Sequence, residues 1–190
     1  MTETMKIIQA LCYLLSKIKK ADKLSLIKLL FLVDKYHLIR YGRTVTNDEY
    51  WAMKIGPVGT IAKDILSFDE DFLTKTGLNY AQENLKKVGQ HEFEKGASCG
   101  IDQLDMLSET DIEALDFIIK KFGRMSRRDL IKHTHKYPEW KQYEKLFERD
   151  ETKREKIERV ELLSTLRNDC LAMPAEHIEQ SRRILTGTHD

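Results

Sequence analysis

Apolar side chains at Ile8, Leu11, Cys12, Leu15 and Ile18 recur at the spacing of a single helical stripe and predict an amphipathic helix over 4–20. Ala21-Asp22 breaks the pattern and supplies a cap for a second helix over 23–41. That segment holds Leu24, Leu26, Ile27, Leu29, Leu30, Phe31, Leu32 and Val33, apolar nearly all round, so it belongs at the centre of a core with other helices about it. Gly42 suits the left-handed position that ends it. From Val45 to Ile55 the pattern alternates, with Trp51, Met53 and Ile55 expected on the core face and Tyr50, Ala52 and Lys54 opposite. Gly56-Pro57 then turns the chain directly into a helix carrying Val58, Ile61, Ile65 and Phe68.

Residues 69–84 are acidic and turn-rich, with room for a short helical stretch. Segments 84–88 and 91–94 flank Gly89-Gln90 as a hairpin, and Gly96 to Gly100 reads as a loop. Ser108-Glu109-Thr110-Asp111 forms a capping box ahead of Ile112, Leu115, Ile118, Ile119 and Phe122, and Gly123 ends that helix. Ser126 and Asp129 repeat the arrangement for a shorter helix to His135, closed by Pro138. Over 139–171 one long or two shorter charged helices are expected, with Leu146, Phe147, Ile157, Val160, Leu163 and Leu166 as their buried side. Pro174 opens a last helix to Leu185. The pattern predicts a mainly α fold, a single helical domain with a small antiparallel sheet or hairpin.

Length changes this picture little: 190 residues suffice for one domain with a real core. The longest apolar run, Leu29 to Val33, is far short of the roughly 18 residues of a membrane span, so no membrane partner is expected. No signal-peptide pattern opens the chain, and Cys12, Cys99 and Cys170 are odd in number and far apart. The expectation is a soluble, reduced, cytoplasmic protein without a disulfide framework.

Charge changes more. The chain holds 32 Lys and Arg against 31 Asp and Glu, a formal net charge of +1. By segment it is +5 over 1–61, −8 over 62–116, +6 over 120–136 and −2 over 137–190. A near-neutral total argues against a protein built mainly to hold nucleic acid, whereas opposed patches can complement each other or present a signed surface to a partner.

Candidate chemistry is sparse. His133 and His135, two apart on a helix, point to different faces, and the paired-ligand spacing of a zinc site is absent, so neither a metal nor another cofactor is expected. No Gly-x-Ser-x-Gly occurs, Cys12 lies on an apolar stripe, and Gly56-Pro57-Val58-Gly59-Thr60 lacks the Gly-Lys-Ser/Thr ending of a phosphate loop. Asp34 and His37, three apart, are expected to meet as a structural pair. Nothing supports an enzyme. The helix–turn–helix proportions of 109–135, with Arg127, Arg128, Lys132 and His133 on the second helix, leave DNA binding as an alternative.

Two stretches carry a resemblance. The first is Lys28-Leu29-Leu30-Phe31-Leu32-Val33-Asp34-Lys35-Tyr36-His37-Leu38, then Tyr41-Gly42-Arg43, then Tyr50-Trp51-Ala52-Met53-Lys54-Ile55-Gly56-Pro57-Val58. The second is Leu107-Ser108, Leu115, Thr134-His135 and Pro138-Glu139-Trp140. Together they resemble the Panacea domain, the antitoxin module of bacterial and phage toxin–antitoxin systems that includes SocA-like protease adaptors. Phe31 departs from the tyrosine of many members. The resemblance implies a mostly helical fold and reaches from about residue 5 to 145, giving a domain over 1–145; the helices of 146–190 match nothing in the family and are expected to pack on the same domain as a C-terminal extension. It implies direct binding to a cognate toxin protein and no catalytic activity; a protease adaptor or an autorepressing DNA-binding regulator are the alternatives. The motif residues Asp34, Tyr36, His37, Gly42, Tyr50, Ala52, Gly56, Pro57, Val58, His135 and Trp140 are read as scaffold. Arg124, Arg127, Arg128 and Lys132, with the charged helices after Trp140, are the candidates for partner contact.

Overall fold

The computed structural model describes residues 2–100 and 104–187. Its elements run α1 (Thr2–Ile18), β1 (Lys20–Asp22), α2 (Lys23–Tyr41), β2 (Tyr50–Met53), β3 (Gly56–Gly59), α3 (Thr60–Ile65), α4 (Lys75–Asn84), β4 (Leu85–Lys87) and β5 (Glu92–Lys95). Then follow α5 (Glu109–Phe122), α6 (Arg127–Thr134), α7 (Pro138–Lys141), α8 (Glu144–Glu148), β6 (Arg154–Ile157), a 3₁₀ turn (Arg159–Leu163) and α9 (Ala175–Thr186). The fold is mainly helical with two small antiparallel sheets, in strand order β1-β5-β4 and β3-β2-β6.

α2 is the axis of the molecule. It is buried from Ser25 to Ile39, and α1, α5, α6, α9, β3 and the 3₁₀ turn all pack on it. Asp22 starts it, accepting the backbone N–H groups of Leu24 (3.1 Å) and Ser25 (3.2 Å). Gly42, at φ +70°, ends it and returns its own N–H to the Leu38 carbonyl. The next carbonyls would otherwise lack partners. Ser181 donates its hydroxyl to the Ile39 carbonyl and His177 Nε2 donates to that of Arg40, each at 2.8 Å. Polar side chains of α9 thus complete the end of α2. A Cβ on Gly42 would stand 2.6 Å from Ile184 Cβ, so the contact also requires glycine.

Four expectations are corrected. Gly56-Pro57 does not lead straight into a helix: the two residues begin β3, which pairs back on β2 with Met53 opposite Gly56 and Tyr50 opposite Gly59. The core face of β2 is the reverse of that expected. Tyr50 and Ala52 are buried, while Trp51 is partly exposed and lies under the Arg154 guanidinium at 4.6 Å. Residues 139–171 are not long helices. Asp150 adopts φ +52°, and β6 then pairs with the other edge of β2, Ile157 opposite Tyr50 and Arg154 opposite Met53. Finally, Cys12 and Cys99 are joined as a disulfide, with Cα atoms 5.8 Å apart. The β1-β5-β4 sheet lies along α1 and carries the loop after β5 back to it, which sequence separation could not reveal.

Candidate partner-binding surface

The motif residues face inward, all buried except the partly exposed His135, and their polar groups bond mostly to loop backbone and to other buried side chains. The Asp34 carboxylate accepts from the N–H groups of Val45 (2.8 Å) and Thr46 (2.9 Å), from the Thr46 hydroxyl and from the Tyr50 hydroxyl (2.8 Å). It does not meet His37. One helical carboxylate thereby fixes the path from α2 to β2, and burial pushes its pKa up while these bonds pull it down. Asp48 continues the path, accepting from the N–H groups of Ile61 and Ala62, each at 2.9 Å, at the start of α3. Burial raises its pKa to about 6.

His37 Nδ1 donates to the Arg43 carbonyl (2.8 Å) and Nε2 accepts from the Thr110 hydroxyl (3.0 Å). Beside it, Asp111 closes the capping box with Ser108 and takes Lys6 (2.8 Å) and Arg43 (3.0 Å) as ion partners. Burial disfavours the Asp111 carboxylate, but Lys6, the Ser108 N–H and Arg43 outweigh it and hold its pKa below the usual range. Tyr36 stacks on Phe117, with centroids 4.4 Å apart, and donates to Glu113 at 3.1 Å.

The β2–β3 turn is held from below. Lys28, fully buried on α2, donates to the Pro57 carbonyl at 2.5 Å, and burial lowers its pKa to about 7. Gly56, at φ +102°, leaves no space: a Cβ there would lie 2.8 Å from Lys28 Nζ and 3.1 Å from the His135 ring. His135 lies flat on Trp140 at 3.5 Å, and Trp140 Nε1 donates to the Met53 carbonyl at 2.7 Å. Burial and then the Lys28 charge push the His135 pKa down to about 4. About two turns further along α2, Lys35 donates to Glu139 (2.7 Å) and to the carbonyls of Leu162 (2.9 Å) and Ser164 (2.5 Å). Sequence reasoning passed over both lysines. The signal was available, because a cation on a helix that is apolar all round must find a buried partner.

The basic segment faces outward. Ser126 caps α6 by accepting the Asp129 N–H at 3.2 Å, and the Asp129 carboxylate takes the Ser126 hydroxyl at 2.7 Å. The one acid of the segment is therefore occupied locally. Arg124, Arg127, Arg128 and Lys132 are exposed, and among the described residues none of them has a hydrogen-bonded or ion-pair partner. Two concavities meet at Asp22 and Arg127. One, of about 330 Å³, has Leu24, Ile27, Met53, Ile55 and Val58 as its apolar lining and Lys23 and Lys63 on its margin. The other, of about 460 Å³, runs past Met125 and Lys20. Ile55 and Met125 are 47% and 39% exposed, large apolar side chains left to solvent at the two ends of this groove. The sequence signal for Ile55 was an apolar residue at a turn between Lys54 and Gly56, where a polar one is usual.

Among the described residues no three His, Cys, Asp or Glu side chains gather as a metal site, and no helix is long and apolar enough to cross a membrane. The family model described as "Antitoxin SocA-like, Panacea domain" matches residues 26–141, which includes all but the first three residues of α2, both strands of the β2–β3 hairpin, α5, α6 and Trp140. No curated protein and no solved structure matches the chain.

Proposed function

Because the chain belongs to the SocA-like, Panacea-domain antitoxin family, we propose that it neutralises a cognate toxin protein by binding it directly. The observation that carries the reading is the family match over more than half of the chain. The division of labour among its residues supports it: the motif side chains are spent on internal hydrogen bonds, and the unpaired cations of the α5–α6 turn and α6 remain for a partner. Protein interfaces rely on a few anchors, with arginine prominent among them, rather than on every contact.

Mechanistically, binding of this kind needs only a rigid surface that covers the toxin's working face. The Asp34, Lys28 and Asp111 networks supply rigidity by fixing the loop 43–48, the β2–β3 turn and the start of α5 against α2 and α1. Co-expression with the protein encoded next to this one tests the reading. The neighbour alone should arrest growth, and both together should not. A neighbour that is harmless alone, or lethal in the presence of this chain, refutes it.

A further inference from the structure

Resting on the antitoxin reading, we propose that the groove between the β2–β3 turn, the start of α2 and the start of α6 receives an acidic, amphipathic segment of the toxin. The apolar side of that segment would lie on Met53 and Ile55, and its carboxylates would meet Arg127, Lys23 and Lys63.

Charge and polarity together select this occupant. The lining of the 330 Å³ concavity is largely apolar, and Ile55 in it and Met125 in the adjoining one leave apolar surface in water. Its margin is short of anions. Asp22 is committed to capping α2, Asp64 lies 3.2 Å from Lys63, and Glu92 lies 2.8 Å from Lys20. Among the described residues the Lys23 ammonium bonds only the neutral Ser67 hydroxyl, and the Arg127 guanidinium bonds nothing. Burial, followed by the like charges of Lys63 and Lys87, holds the Lys23 pKa below its usual value, with only Asp64 and Asp69 working the other way. An incoming carboxylate would relieve that repulsion. A nucleic-acid backbone would satisfy the cations but leave the apolar lining and Ile55 without a partner, so a protein segment fits better. Phe72, another exposed large apolar side chain (44% exposed), lies beside Asp69, Glu70 and Asp71 and offers the opposite sign.

Two measurements test this with the full chain. In the first, a photo-crosslinking amino acid replaces Ile55, Met125 or Phe72, and the complex with the neighbour-encoded protein is irradiated and mapped. Crosslinks from positions 55 and 125 to a segment rich in Asp and Glu, and none from position 72, are expected. Crosslinks from position 72 alone, or to a segment without acidic residues, overturn the groove and leave the antitoxin reading standing. In the second, fluorescence anisotropy follows a labelled 16-residue peptide with Leu at i, i+3 and i+4 spacing and Glu elsewhere. Binding should fall at least tenfold in Arg127→Glu, change less than twofold in Phe72→Glu, and be absent when Lys replaces Glu in the peptide. No binding, indifference to Arg127→Glu, or displacement by duplex DNA but not by excess unlabelled Glu peptide overturns the proposal. If the neighbour-encoded protein is harmless, the antitoxin reading fails, and the peptide measurement still decides whether the groove takes an acidic segment.

Discussion

Replacing Lys28 by Met should remove a specific part of the protein's response to alkaline pH. In the folded chain the ammonium is fully buried with the Pro57 carbonyl as its partner, and its pKa is about 7 against 10.5 in the ordinary state. Between those values the unfolded chain binds a proton that the folded chain does not, so stability rises with pH across the window 7 to 10.5. A shift of about 3.5 units corresponds to roughly 5 kcal/mol over the whole window, and about 2 kcal/mol of it falls between pH 7 and pH 9. Methionine keeps most of the packing, forfeits the bond to Pro57 at a cost of about 1–3 kcal/mol, and has no charge to desolvate. Lys28→Met should therefore be more stable than the parent by about 1–3 kcal/mol at pH 7 and close to it at pH 9. His135, whose pKa is lowered to about 4, completes its change below pH 7 and does not interfere. Urea unfolding of both proteins at pH 7, 8 and 9 gives the comparison. If the difference between them stays constant from pH 7 to 9, Lys28 is not a buried group that loses its proton in this range, and the argument is refuted.

Glu139→Ala leaves the Lys35 ammonium buried without its counter-ion and should cost about 3–5 kcal/mol, whereas Lys35→Met with Glu139→Leu should recover most of the loss; urea midpoints decide. Asp34→Ala strands the Val45 and Thr46 N–H groups and should cost about 3 kcal/mol, with faster amide exchange over 44–48. The disulfide encloses 87 positions of separation, so reduction should lower stability by about 4–5 kcal/mol. A thiol titration of the native, unreduced protein should then find one thiol, that of Cys170; three would contradict the pairing.

The helices and their ends were legible because their causes are local. Ser108 and Ser126 cap α5 and α6 where the sequence placed them, and Gly42 takes the left-handed turn its position implied. What was not legible depended on distant partners. Arg154 to Ile157 has one buried side chain in four and no period of its own; it is a strand because β2 has an open edge about a hundred residues earlier. Hydropathy ranks Trp51 above Tyr50 for the core, yet Tyr50 is the residue buried, because Asp34 accepts its hydroxyl there and Arg154 covers Trp51 outside. Asp34 and His37 share a helical face by spacing, but each found a closer partner across a loop. Of the candidate contact residues, the charge pattern picked out Arg127. It could not pick out Ile55, Lys23 and Lys63, which only the folding of the hairpin against α2 brings beside it.

The pairing of β6 with β2 has a consequence for how the chain is made. β2 is the middle strand of its sheet, so until residues 154–157 have been synthesised it has a neighbour on one side only. At about 5–20 residues per second, the hundred residues in between keep that edge open for seconds on the ribosome. Throughout that time Tyr50 and Ala52 have their β3 partners but no roof on the far side, and an open edge invites pairing with other chains. A ribosome stall or a proteolytic cut between residues 141 and 154 would thus release a protein that still contains the whole 26–141 match and still lacks a closed sheet.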